Sequence, residues 1–160
     1  MLTEFASALQ GTGLATALRQ SFWVYPIVNA GHIVGLALLF GAIVPLDLRL
    51  LGVWRTMPLA VMSRILLPVA LAGLALAVPT GILLFSVRAT EYAATPLLWI
   101  KFSLIACAIA NALLLRLSLA WAVAEHSDLA GTMPRLQLAG ALSIGLWLAV
   151  IIVGRMIGYL

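Results

Sequence analysis

The chain has 160 residues, 64% of them hydrophobic and only 9% charged, with a mean hydropathy of +1.18 and a net charge of +4. A soluble domain carries about 25% charged residues, so this chain could not cover itself with a hydrated surface, and lipid is the solvent that suits it. Its basic residues stand singly at segment ends, without the cluster or stripe that nucleic acid needs, so the expected partner is the lipid bilayer and not nucleic acid.

Residues 1–21 read as a short amphipathic lead lying in the membrane interface. Thr3 can cap a helix there, and Leu2, Phe5 and Leu9 fall near one side of it. Gly11-Thr12-Gly13 allows a bend before Leu14–Gln20. Glu4 and the glycine interruption argue against a secretory signal. Residues 22–160 form a single domain with four apolar segments, so the fold class is all-α, an integral membrane four-helix bundle with an interfacial N-terminal helix.

The first crossing spans about 22–44. It opens with Trp23 and Tyr25, which suit the headgroup level, and carries Pro26 near its first turn, where a missing N–H costs least. Pro45, Asp47 and Arg49 mark its far end, with Asp47 paired to Arg49 or Arg55 as an anchor. The second spans about 59–86 and contains Pro68 and Pro79, whose kinks Thr80 can relieve. A short polar loop, 87–95, leads to the third, about 96–115, which can continue to Ala122 outside the membrane. Glu125-His126-Ser127-Asp128 reads as the longest aqueous loop. The fourth spans about 136–159.

Four crossings put both termini on one side. Arg49, Arg55, Arg64, Arg116 and Arg135 fall on the other side, whereas only Arg19 and Arg88 mark the terminal side, since Lys101 and Arg155 are set inside their segments. The positive-inside rule then predicts a multi-pass membrane protein whose other side is cytoplasmic, with both termini outside. Gly31 and Gly35, and Gly154 and Gly158, are spaced for close helix contact within the bundle or in a homo-oligomer.

Polar groups inside hydrocarbon need a reason, because insertion costs several kcal/mol unless the group is paired or faces a cavity. Here they are Asn29, His32, Lys101, Asn111 and Arg155. His32 falls near the bilayer centre, and Asn29, three residues earlier, shares its face. Lys101 and Arg155 fall nearer the terminal side. A neutral imidazole can ligate a metal or haem iron, and cations above it can pair with haem carboxylates. The alternative reading is a histidine bonded to a neighbouring carbonyl, with Lys and Arg reaching for headgroups. The single Cys107 forms no intramolecular disulfide, and without Cys-x-x-Cys-His a covalent c-type haem is excluded. His126, the other histidine, belongs to the opposite loop.

Ser21-x-Trp23-x-Tyr25-Pro26, His32-x-x-Gly35, Gly41, Asp47-Leu48-Arg49-Leu50-Leu51-Gly52, Thr80-Gly81, Lys101 and Gly154-Arg155-Met156-Ile157-Gly158-Tyr159 together resemble a family of small four-helix bacterial inner-membrane proteins with no assigned activity. More remotely, the layout is similar to the HemJ-type protoporphyrinogen oxidases and the copper-resistance D membrane proteins. That resemblance implies a haem-linked redox architecture, with His32 as haem ligand and Lys101 as a functional lysine. It departs at Asn111, where a further histidine would stand in the third helix.

The expected function is a b-type haem-binding redox or electron-transfer subunit with a possible redox partner protein. His32 is its iron ligand, Lys101 and Arg155 pair with the propionates, and Asn29 orients the imidazole. A small-solute or metal-ion transporter, and an accessory membrane subunit without cofactor, are the alternatives. No catalytic residue is assigned.

Overall fold

The computed structural model describes residues 2–127 and 130–159. The side chains of Leu2 and Thr3, the expected cap, and the whole of Asp128 lie outside what is described. The described chain is all-helical: α1 (Leu2–Gln10), α2 (Gly13–Gln20), α3 (Val24–Leu50), α4 (Leu59–Val87), α5 (Ala89–Ala94), α6 (Pro96–Arg116), α7 (Leu119–Ser127) and α8 (Pro134–Ile157), with one 3-10 turn at Ala130–Thr132. Four of these, α3, α4, α6 and α8, are long and apolar enough to cross a membrane.

The lead is two helices hinged at Gly11–Thr12. The Thr12 hydroxyl caps α2 by accepting from the Ala15 N–H at 3.3 Å. Ala6, Ala15 and Leu18 are buried on the bundle, while Phe5 is turned outward. Gln10 ties the lead to α5, its side-chain oxygen accepting from the Thr90 N–H (3.0 Å) and hydroxyl (2.8 Å). Arg19 donates to the Gln10 carbonyl at 2.7 Å. The lead thus packs across the end of the bundle where α3 begins, here the terminal end.

At 27 residues α3 is about 40 Å long. It runs past Pro45 to Leu50, and Leu46, Asp47, Arg49 and Leu50 are all buried at the far end. Its stop is a Schellman turn: Val53 N–H bonds the Leu48 carbonyl (3.0 Å) and Gly52 N–H the Arg49 carbonyl (3.1 Å), with Gly52 at φ +97°. The Leu50-Leu51-Gly52 run encodes that stop, since only glycine enters this region without strain.

α4 is continuous through both prolines. Near Pro79 the Thr80 hydroxyl donates to the Leu76 carbonyl at 2.6 Å. The expected polar loop 87–95 is instead mostly helix α5. The expected aqueous loop is mostly helix too: the chain breaks after Arg116 and restarts at Leu119 as α7, which carries Glu125, His126 and Ser127. The Ser118 hydroxyl marks the break by accepting from the Trp121 N–H at 3.2 Å.

α3 lies closely against α4 and α8, and α6 against α8, while α4 and α6 approach one another less closely. α3 and α4 meet backbone to backbone. A Cβ on Gly35 would stand 2.7 Å from the Ala77 nitrogen and 2.9 Å from the Gly73 oxygen. The glycine expected to serve helix contact therefore faces Gly73 within the chain. Two apolar cores fill the middle and far end, one around Leu39, Ala42, Ala108 and Trp147 and one around Leu50, Leu59, Trp121 and Leu136.

Candidate functional site

His32 sits on the face of α3 that meets α4. Its Nδ1 lies 2.9 Å from the Ala77 carbonyl and 3.2 Å from the Thr80 hydroxyl oxygen. A carbonyl only accepts, so Nδ1 carries the proton and donates. Thr80 has spent its own proton on the Leu76 and Ala77 carbonyls, so it too can only accept from the ring. In the neutral imidazole the lone pair then resides on Nε2, and the ring is held in one tautomer and one orientation.

The ring packs on Gly81. A Cβ there would come within 3.0 Å of Cε1, so any larger residue would displace the imidazole. The orienting role expected of Asn29 is filled by Ala77 and Thr80. Asn29 is exposed and makes no hydrogen bond among the described residues.

Lys101 reaches the same region from α6. Its side chain lies across α8 at Gly154, with Nζ 3.1 Å from the position a Cβ would take. Lys101 has no hydrogen-bond or acidic partner among the described residues. His32 and Lys101 thus both lie towards the terminal end, His32 against Gly81 of α4 and Lys101 against Gly154 of α8, with the two glycines making room for their side chains.

Arg155 is on the same level but turned elsewhere. It donates to the Tyr159 hydroxyl at 2.6 Å and lies 4.5 Å from that ring's centre. Asn111 is deeper in α6 and donates to the Ala139 carbonyl at 3.0 Å, joining α6 to α8. At 1.5 Å per residue it is about 15 Å along the helix from Lys101. His126 is at the far end on α7, its Nδ1 2.7 Å from the Ala122 carbonyl.

The surroundings of His32 and Lys101 are looser than the far-end core. Gly31, His32, Gly81, Lys101 and Gly154 are half-buried, whereas Leu50, Leu59 and Leu136 at the far end are sealed. Among the described residues no three His, Cys, Asp or Glu side chains come together as a metal cage.

Two polar clusters at the far end escaped the sequence. Arg49 is 0% exposed and does not pair with Asp47. It donates to the Met57 carbonyl (2.7 Å) and the Arg55 carbonyl (3.4 Å), pinning the loop between α3 and α4. Arg55 in turn reaches the Gly52 and Gly131 carbonyls, at 3.2 Å and 3.3 Å. The expected ion pair is replaced because loop carbonyls come within reach of the guanidinium fork, which matches several acceptors at once.

Asp47 is 5% exposed and faces Ser143 of α8, with Gly140 letting the two backbones close. The spacing Gly140, Ser143, Trp147 on one face of α8 was the available signal. The second cluster joins Glu125 to the Ser63 hydroxyl (2.9 Å), the Trp121 indole N–H (3.1 Å) and Arg116 (3.6 Å), with Arg116 also stacked on Trp121. Burial alone would push the Glu125 carboxyl up, but these donors and the Arg116 charge together hold it below its usual range.

No family model, no curated protein and no solved structure matches the chain.

Proposed function

We propose that this multi-pass membrane protein is a haem-binding subunit of redox or electron-transfer type, with a b-type haem on Nε2 of His32 and a propionate paired with Lys101. One observation carries the reading: His32 is fixed through Nδ1 to a backbone carbonyl, which is the arrangement that readies the other ring nitrogen to ligate. The donor chemistry fits in two respects. His32 offers one nitrogen lone pair, and Lys101 offers a cation with no acidic partner among the described residues.

When bound, the haem would supply one-electron iron chemistry. The chain's own part is to hold the imidazole upright between Ala77, Thr80 and Gly81, and to neutralise a carboxylate at Lys101. Arg155 joins only if it leaves Tyr159. His32 is the histidine of this constellation that would hold the iron, since His126 is at the other end of the bundle.

The test is the visible spectrum of the protein purified in detergent and supplied with haem. A Soret band that is lost in His32→Ala and kept in His126→Ala supports the reading. No band after haem is supplied overturns it, and a band unchanged in His32→Ala removes the ligand assignment.

A further inference from the structure

At the far end of the bundle, away from His32, a groove of about 180 Å³ runs between α6 and α8. Leu114, Leu138 and Leu142 form its walls, with Leu115 as floor. The walls are open to the surroundings, Leu114 being 69% and Leu138 63% exposed. The small Ala139 leaves the trough, and the Asn111 bond to its carbonyl ties the two helices beneath it.

Arg135 stands at the mouth. It is exposed, lies in the first turn of α8, and has no hydrogen bond or ion pair among the described residues. Its position is not explained by the helix, whose N-terminal end favours acids over cations. Most other arginines are engaged: Arg116 with Glu125 and Trp121, Arg88 with Glu91, Arg55 with loop carbonyls. From Arg135 to Leu142 the groove extends about 10 Å down the helix axis, away from the bundle end and into the span.

A free cation at the rim of an apolar trough matches one molecule in outline: a negatively charged headgroup with a chain attached. We propose that this groove is a binding site for an anionic phospholipid, its phosphate on the Arg135 guanidinium and its acyl chain along Leu114, Leu138 and Leu142. Arg135 suits phosphate because its planar fork donates to two oxygens at once. The site is independent of any cofactor at His32.

The experiment is native mass spectrometry of the detergent-purified protein titrated with phosphatidylglycerol and, separately, phosphatidylcholine of the same chains. Wild type should retain one phosphatidylglycerol in preference to phosphatidylcholine. Arg135→Gln should weaken that binding about fivefold, the change expected for one cation near an anionic headgroup. Arg135→Lys should keep most of it, and Leu138→Trp, which fills the trough, should lose it.

Arg64→Gln removes an exposed cation at the same end of the bundle, outside the groove, and should change nothing. Equal retention of the two lipids overturns the proposal. So does an Arg64→Gln effect as large as that of Arg135→Gln, which would mean diffuse surface charge, or displacement of the lipid by inorganic phosphate alone, which would mean the groove plays no part. If Leu138→Trp fails to fold, the Arg135→Gln and Arg135→Lys pair decides.

Discussion

Gly35→Ala should separate α3 from α4 and disturb His32 at a distance. The added Cβ would stand 2.7 Å from the Ala77 nitrogen, 2.9 Å from the Gly73 oxygen and 3.0 Å from the Ala77 Cα, all of them backbone atoms that no rotamer change can move. Ordinary contact begins at about 3.4 Å, so the helices must part there by about 0.7 Å. The His32 Nδ1 to Ala77 carbonyl distance, now 2.9 Å, would stretch towards about 3.6 Å, beyond hydrogen-bond reach.

Overpacking of this kind costs about 1–3 kcal/mol, and a lost bond inside a membrane protein adds about 0.6 kcal/mol. The expected loss is therefore about 2–4 kcal/mol. Gly31→Ala is the matched control, because its Cβ would meet only Thr80 Cγ2 at 3.5 Å, an ordinary contact. Reversible unfolding of the three proteins in mixed micelles with rising SDS, followed by circular dichroism, measures the difference. Unfolding of Gly35→Ala within about 0.5 kcal/mol of wild type, or an equal loss in Gly31→Ala, would refute the close crossing as the cause.

Three further outcomes are expected. Arg49→Ala leaves the Met57 and Arg55 carbonyls without their buried donor, at about 1–3 kcal/mol for unsatisfied polar groups; protease nicking of the 51–58 loop should rise with the loss, and unchanged nicking counts against the pinning role. The Glu125 carboxyl is held below its usual range, so the stability it contributes is present above the ordinary glutamate pKa and is lost as pH falls through the lower folded value. Wild type should thus lose stability more steeply than Glu125→Gln on acidification below about pH 4, and parallel curves in the same micelle assay would refute this. Tyr159→Phe removes the 2.6 Å bond to Arg155 while keeping the ring beneath the guanidinium; it should cost under about 1 kcal/mol, and a larger loss would mean that Arg155 is needed for the fold.

The membrane class, the four long helices and the identity of the intramembrane polar residues could all be read from the one-dimensional order of residues. Composition and runs of apolar side chains decide them, and lipid leaves a helix little freedom to do otherwise, because every backbone group must be satisfied within it. Helix boundaries were less legible where a local signal misled. Pro45 reads as an end, yet α3 continues through it, since Leu46 and Leu50 bury against α7 and α8 side chains that lie far away in sequence. The polar 87–95 stretch reads as a loop, yet it folds as α5 against the N-terminal lead, through the Gln10 and Thr90 contact.

The same division governs the candidate sites. His32 and Lys101 could be named from residue type and depth. What holds His32, a carbonyl and a hydroxyl on α4, could not, because carbonyls carry no sequence signal and the pairing depends on how closely Gly35 and Gly73 bring the two backbones. Arg49 and Asp47 look like an ion pair two residues apart on one helix, but residues that far apart on a helix do not face each other. Only the packing of loop 51–58 and of α8 decides where each points: Arg49 to the Met57 and Arg55 carbonyls, Asp47 to Ser143. Composition determined the solvent this chain lives in, and helix crossing determined which of its few polar groups meet.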